Sequence, residues 1–128
     1  MPTERDLRPF PNGGEWIGVD LDSTLAYYDG FVSVTHIGEP IPLMLERVKQ
    51  WRKDGMQVAI LTARVCNPKR LGETLPPIQA WCLEHLGEVL PVTSAKDYDM
   101  IELWDDRAVH VIPNTGERAD GMREETDG

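Results

Sequence analysis

Residues 15–30 read EWIGVDLDSTLAYYDG. The apolar run Trp16-Ile17-Gly18-Val19 has strand character and stops at Asp20, and a second carboxylate follows at Asp22. Two neighbouring acids at the end of a buried strand repel one another and lose hydration. Such a pair implies a compensating partner elsewhere in the chain.

Working outward from this stretch, residues 1–14 are rich in Pro, Gly and charge and read as an N-terminal arm. Residues 15–113 read as one catalytic domain. Within it, about residues 25–41 form a flap punctuated by Gly30, Gly38 and Pro40, and GFVSVTHIG alternates enough for a small hairpin. PLMLERVKQWRKD, residues 42–54, places Leu43, Leu45, Val48 and Trp51 near helical spacing, with Pro42 suited to a first helical position and Gly55 to a C-terminal cap. MQVAILTAR follows as a second strand. Residues 67–76 read as loop, and PIQAWCLEHLG as a second helix. EVLPVTSA, MIELW and AVHVI complete a β–α–β–α–β–β–β order, and residues 114–128 read as a disordered acidic tail. Apolar strands joined by helices predict an α/β, Rossmann-like three-layer sandwich with a mostly parallel five-stranded sheet.

Open sheets of this class bind ligands beyond the carboxyl ends of their strands. On that rim the chemistry converges. The first strand ends in Asp20 and Asp22, the second in Thr62-Ala63-Arg64, the third is followed by Ser94 and Lys96, and the fourth ends in Asp105-Asp106-Arg107. Four carboxylates without His or Cys companions favour a hard cation, magnesium above all. Arg64, Lys96 and Arg107 point to an anionic ligand, and Thr62 can donate a hydroxyl hydrogen bond to it. Together these describe phosphoryl transfer, where positioning and charge neutralisation do most of the work.

Asp20-Leu21-Asp22-Ser23-Thr24 after an apolar strand resembles the DxDxT signature of the haloacid-dehalogenase-like (HAD) phosphatases. VAILT resembles the second motif of that superfamily, Lys96 the third and ELWDD the fourth, over roughly residues 15–112. The TAR and DDR forms further resemble the phosphatase domains of polynucleotide kinase–phosphatases and the deoxyribonucleotidases. The resemblance implies a magnesium-dependent phosphomonoester hydrolase working through an aspartyl-phosphate. Asp20 would be the nucleophile and Asp22 the general acid–base. Magnesium would be held by the Asp20 side chain, the Asp22 main-chain carbonyl and Asp105 or Asp106. Thr62, Ala63, Arg64, Lys96 and Arg107 would bind phosphate or substrate. Lys96 lies only nine residues before Asp105, which leaves little room for the helix the superfamily places there; Arg107 is the alternative cation. The flap is too short for a cap domain, so the site is expected to be open or roofed by a second copy. Tyr27, Tyr28, Phe31 and His36 in the flap could stack on a base or simply pack.

Composition sets the outer bounds. The 128 residues are 41% hydrophobic and 27% charged, which is ordinary globular composition. No apolar run suggests a membrane span or a signal peptide, so the expected compartment is the cytoplasm. Cys66 and Cys82 have no companions at zinc spacing and read as reduced structural thiols. The formal charge is −9, of which residues 117–128 carry five acids and two bases, a net −3, leaving −6 on the body. Such a balance excludes strong non-specific nucleic-acid binding, yet allows a nucleotide or nucleic-acid 3′-phosphate end held by local cations. Sugar phosphates or other small metabolites are the alternative substrates. A non-catalytic phosphate- or metal-binding module is the alternative of another class, and it would be expected to lack one of the acids. Trp51, Trp81 and Trp104 read as core, and His85 and His110 as ordinary helix and strand residues.

Overall fold

A computed structural model of the chain describes residues 8–121; the outer parts of the expected arm and tail, 1–7 and 122–128, lie outside the described residues. The elements are β1 (Trp16–Val19), α1 (Pro42–Lys53), β2 (Gln57–Leu61), α2 (Leu71–Leu86), β3 (Val92–Thr93) and β4 (Met100–Trp104). Two single 3-10 turns, Ala63–Val65 and Pro68–Arg70, lead from β2 into α2. The four strands are parallel, in the order β3-β2-β1-β4.

This order decides where the core lies. From β1 to β2 to β3 the chain steps in one direction, so right-handed crossovers place both helices on the same face. Alternate strand positions Ile17, Val19, Val58 and Ile60 form one cluster with Met44 and Val48 of α1 and Ile78, Trp81 and Cys82 of α2. From β3 to β4 the chain steps back across the whole sheet. Only Ser94–Asp99 are available for that step, too few for a crossover helix. This strap covers the second face at Trp16, whose indole N–H donates to Asp97 Oδ1 at 2.8 Å and whose backbone N–H donates to the Asp99 carbonyl at 2.9 Å. A Cβ at Gly18 would lie 2.9 Å from Met100 Sδ and 3.2 Å from the Trp16 ring, so the absence of a side chain lets both cross the sheet. Among the described residues the domain therefore has two layers, and the expected third layer is replaced by the strap.

The expected fifth strand is also corrected. Residues 108–112 join no sheet. The Ile112 N–H donates to the Glu117 carbonyl and the Ala119 N–H to the His110 carbonyl, both at 2.8 Å, which folds part of the expected tail back as a small exposed hairpin. The alternation in AVHVI does encode extended backbone, but its partner is local. Residues 67–76 are not all loop either, because α2 begins at Leu71 and contains Pro76 and Pro77. The prolines leave the Gly72 and Glu73 carbonyls without helical donors, and both residues are exposed to water, which makes the loss tolerable.

The first helix starts at Pro42 as expected. It ends in a Schellman arrangement in which the Met56 N–H donates to the Trp51 carbonyl at 2.9 Å and the Gly55 N–H to the Arg52 carbonyl at 3.0 Å. Gly55 has φ +85°, a conformation that a side chain would strain. Its inward face is Met44 and Val48, with Leu45 and Trp51 partly buried, whereas Leu43 faces water. Among the tryptophans, Trp16 and Trp81 are buried and Trp51 packs against Trp104 with ring centroids 5.2 Å apart. No described helix is long and apolar enough to cross a membrane.

Candidate functional site

The strand order reverses at β1, between β2 on one side and β4 on the other, which is where open α/β sheets bind ligands. Val19 of β1 is in register with Trp104 of β4, and the Asp20 N–H donates to the Trp104 carbonyl at 2.9 Å. The residues that follow, Asp20 and Asp105, therefore leave the sheet side by side. Asp106 is drawn into the same group. Carboxylate oxygens of Asp20, Asp105 and Asp106 all lie within 4.8 Å of one another, although they come from segments far apart in the chain.

The loop after β1 is built to hold its two partly buried acids at the rim. Leu21 and Leu25 are fully buried and anchor it. The Leu21 carbonyl accepts from the Leu25 and Ala26 N–H groups at 3.0 and 2.8 Å. Ser23 takes φ 72°, an uncommon conformation for a side-chain-bearing residue, and its N–H donates to the Ala26 carbonyl at 2.8 Å. Thr24 Oγ1 donates to Asp106 Oδ1 at 3.4 Å, tying the first acidic loop to the last. Asp105 Oδ1 accepts from the Arg107 and Ala108 N–H groups at 2.7 and 3.3 Å, which fixes the turn after β4.

On the β2 side, Thr62 is buried, and its hydroxyl oxygen accepts from the Arg64 N–H at 3.2 Å. Its own hydroxyl hydrogen has no protein acceptor among the described residues and is available to a ligand in the cleft it lines. Arg64 forks onto Asp22, Nε to Oδ2 at 2.7 Å and Nη2 to Oδ1 at 2.9 Å. Val19 pairs in register with Ile60, so Asp22, three positions beyond Val19, and Arg64, four beyond Ile60, leave adjacent strands one position apart.

These groups line a cleft of about 460 Å³. Its walls carry four carboxylates, Asp20, Asp22, Asp105 and Asp106, against two guanidiniums, Arg64 and Arg107. The imbalance equals the charge of one divalent cation. It is felt most at Asp20, whose carboxyl is pushed up to about 7, first by burial, then by a hydrogen bond with Asp106 and the charges of Asp105 and Asp106, with the Leu21 N–H opposing. An all-oxygen donor set of this size and charge fits a hard cation such as magnesium. A second cavity of about 250 Å³ adjoins the cleft, sharing Tyr28 and Arg64, and is lined by Tyr27, Val32, His36 and Gly38 of the flap.

Most residues expected at the site are thus brought together: Asp20, Asp22, Thr62, Ala63, Arg64, Asp105, Asp106 and Arg107 all line the cleft, as does Ser94. Lys96 does not. It is exposed on the strap, which has already left the rim to cross the second face. Arg107 lines the cleft in its place and makes no ion pair among the described residues. Residue patterns alone did not reveal the Arg64–Asp22 fork or the presence of Cys66 in the wall. Of the two thiols expected to be structural, Cys82 is buried and Cys66 is exposed; both are free.

No protein-family model matches the chain, and no curated protein does. A solved structure of a conserved protein from Bacteroides thetaiotaomicron is similar in fold, with a TM-score of 0.52 and 21% sequence identity over 80% of this chain and 84% of that one.

Proposed function

We propose that the protein is a haloacid-dehalogenase-like phosphatase, a magnesium-dependent phosphomonoester hydrolase. The observation that supports it best is the convergence of the Asp20, Asp105 and Asp106 carboxylates within 4.8 Å, facing Thr62 and two arginines across one cleft. Carboxylates crowded this closely are of use when a divalent cation and a phosphoryl group lie between them. Magnesium held by Asp20, Asp105 and Asp106 would supply charge neutralisation to the acids and to the phosphoryl oxygens.

The chain's own residues then divide the reaction. An Asp20 oxygen attacks phosphorus, the bond to the leaving oxygen breaks, and Asp22 donates a proton to that oxygen. In the second half a water attacks phosphorus and gives a proton to Asp22, the bond to Asp20 breaks, and inorganic phosphate leaves. The Thr62 hydroxyl and the Arg107 guanidinium bind the phosphoryl oxygens. The flap cavity seats the leaving group. Its two tyrosines and His36 suit a flat ring with polar edges, so nucleotides and nucleic-acid 3′-phosphate ends are the favoured substrates. The two free thiols suit the cytoplasm.

Hydrolysis of 4-nitrophenyl phosphate, with and without magnesium, tests the reaction class. Wild-type protein should turn over only with the metal, and Asp20→Asn should lose activity by at least a thousandfold, since an amide is a poor nucleophile. An Asp20→Asn variant near the wild-type rate removes Asp20 from the reaction and the reading with it.

A further inference from the structure

The reaction scheme leaves Arg64 without a role. It was expected to face an anionic ligand. Instead it spends two of its donors on Asp22, at 2.7 and 2.9 Å. The side chains of the pair are only 15% and 23% exposed, which separates it from the solvated surface ion pairs that contribute little. Both ends are held. The Arg64 N–H is bound by Thr62 Oγ1 within a 3-10 turn, and Asp22 sits in the loop anchored by buried Leu21 and Leu25. Arg64 also borders both cavities, the acidic cleft and the flap cavity beside it. A planar fork on a carboxylate fixes the plane of that carboxylate as well as its position.

We propose that Arg64 is a positioning residue: it orients the Asp22 carboxylate on the wall between the phosphate cleft and the flap cavity, where the leaving oxygen must pass. The proposal deepens the phosphatase reading and rests on it. It also assigns a direction to the substrate. The phosphoryl group lies toward Asp20, Asp105 and Asp106, and the leaving group lies beyond Arg64 in the flap cavity. Arg64 then acts on the reaction through Asp22 and not by holding the phosphoryl oxygens.

The two roles separate by leaving group. A simple alkyl phosphate needs a proton on its leaving oxygen, whereas 4-nitrophenolate departs without one. If Arg64 acts through Asp22, Arg64→Ala lowers kcat/KM for the alkyl ester by about a hundredfold, the scale of a lost acid catalyst, and for the nitrophenyl ester by only a few fold. Asp22→Asn shows the same pattern, the two losses fail to multiply in the double variant, and millimolar guanidinium partly restores Arg64→Ala. Equal losses for both esters, or losses that multiply, overturn the proposal and return Arg64 to phosphate binding. The crystal structure of Arg64→Ala provides an arm that needs no turnover: the Asp22 carboxylate should rotate from its wild-type orientation, and an unmoved carboxylate overturns the proposal. Wild-type protein that hydrolyses neither ester with magnesium defeats the phosphatase reading, and the crystallographic arm still decides whether Arg64 orients Asp22.

Discussion

At the scale of single residues, Asp20 carries the largest electrostatic load, and its load has a measurable sign. Its carboxyl is held at about 7 against an ordinary value of 3.8. Below the lower value both folded and unfolded chains keep the proton, and it contributes nothing. Between the two values the unfolded chain has released the proton while the folded chain retains it, so stability falls as pH rises. Above about 7 the loss is complete. The full shift would correspond to about 4 kcal/mol at 1.36 kcal/mol per unit, and solvent screening reduces it to roughly 2 kcal/mol. Metal-free protein should therefore show a urea midpoint that drops between about pH 4 and pH 7 and levels off above it, and Asp20→Asn should flatten that drop. Millimolar magnesium should raise the wild-type midpoint at pH 8 by mass action and leave Asp20→Asn unmoved. A wild-type midpoint that ignores both pH and magnesium would mean that Asp20, Asp105 and Asp106 are not crowded in solution.

Among the elements, the flap shows how a segment without regular structure is still specified. Its base is closed by backbone pairing, the Tyr27 N–H to the Glu39 carbonyl and the Ile41 N–H to the Leu25 carbonyl, both at 2.8 Å. It is tied to α2 by the Trp81 indole N–H, which donates to the Gly38 carbonyl at 2.9 Å. A methyl on Gly38 would collide with the Tyr27 carbonyl oxygen. Gly38→Ala should therefore push the flap base apart and cost about 1–3 kcal/mol, the usual scale of overpacking. With it the flap cavity deforms, so kcat/KM for a nucleotide should fall several fold more than for 4-nitrophenyl phosphate. Thermal melts and the two substrates check both halves, and an unchanged ratio of the two rates would detach the flap from substrate choice. The hairpin expected within GFVSVTHIG does not form; the chain pairs just outside it, Leu25–Tyr27 against Glu39–Ile41, with Gly38 at the base of the flap and not at its tip. The cap at Gly55 and the start at Pro42 were legible because they are local backbone chemistry. The early start of α2 was not, since two adjacent prolines usually end a helix and only the exposure of Gly72 and Glu73 makes them tolerable here.

For the whole molecule, the strand order explains both what could be read in advance and what could not. The rim residues were legible because strand ends are marked by a change from apolar to polar, and the polar residues of several strands share one rim in any parallel sheet. The layers were not legible, because which face a helix covers depends on the order β3-β2-β1-β4, and no local pattern states that order. The nine-residue step from Lys96 to Asp105 already left little room for a helix, but that this return must cross the whole sheet, and so leaves no third layer among the described residues, follows only from the strand order. The consequence is an uneven sheet. Ile60 is fully buried on the helix-covered face, whereas Leu103 of β4, on the strap side with Gly18, remains 38% exposed. Ile60→Ala removes a side chain packed on all sides and should cost about 2–5 kcal/mol. Leu103→Ala, with water already against the side chain, should cost less than about 1 kcal/mol. Urea denaturation of the two variants tests the asymmetry. Comparable losses at the two positions would show that something covers the strap face in solution, and a Leu103→Ala loss that grows with protein concentration would identify the cover as a second copy of the chain.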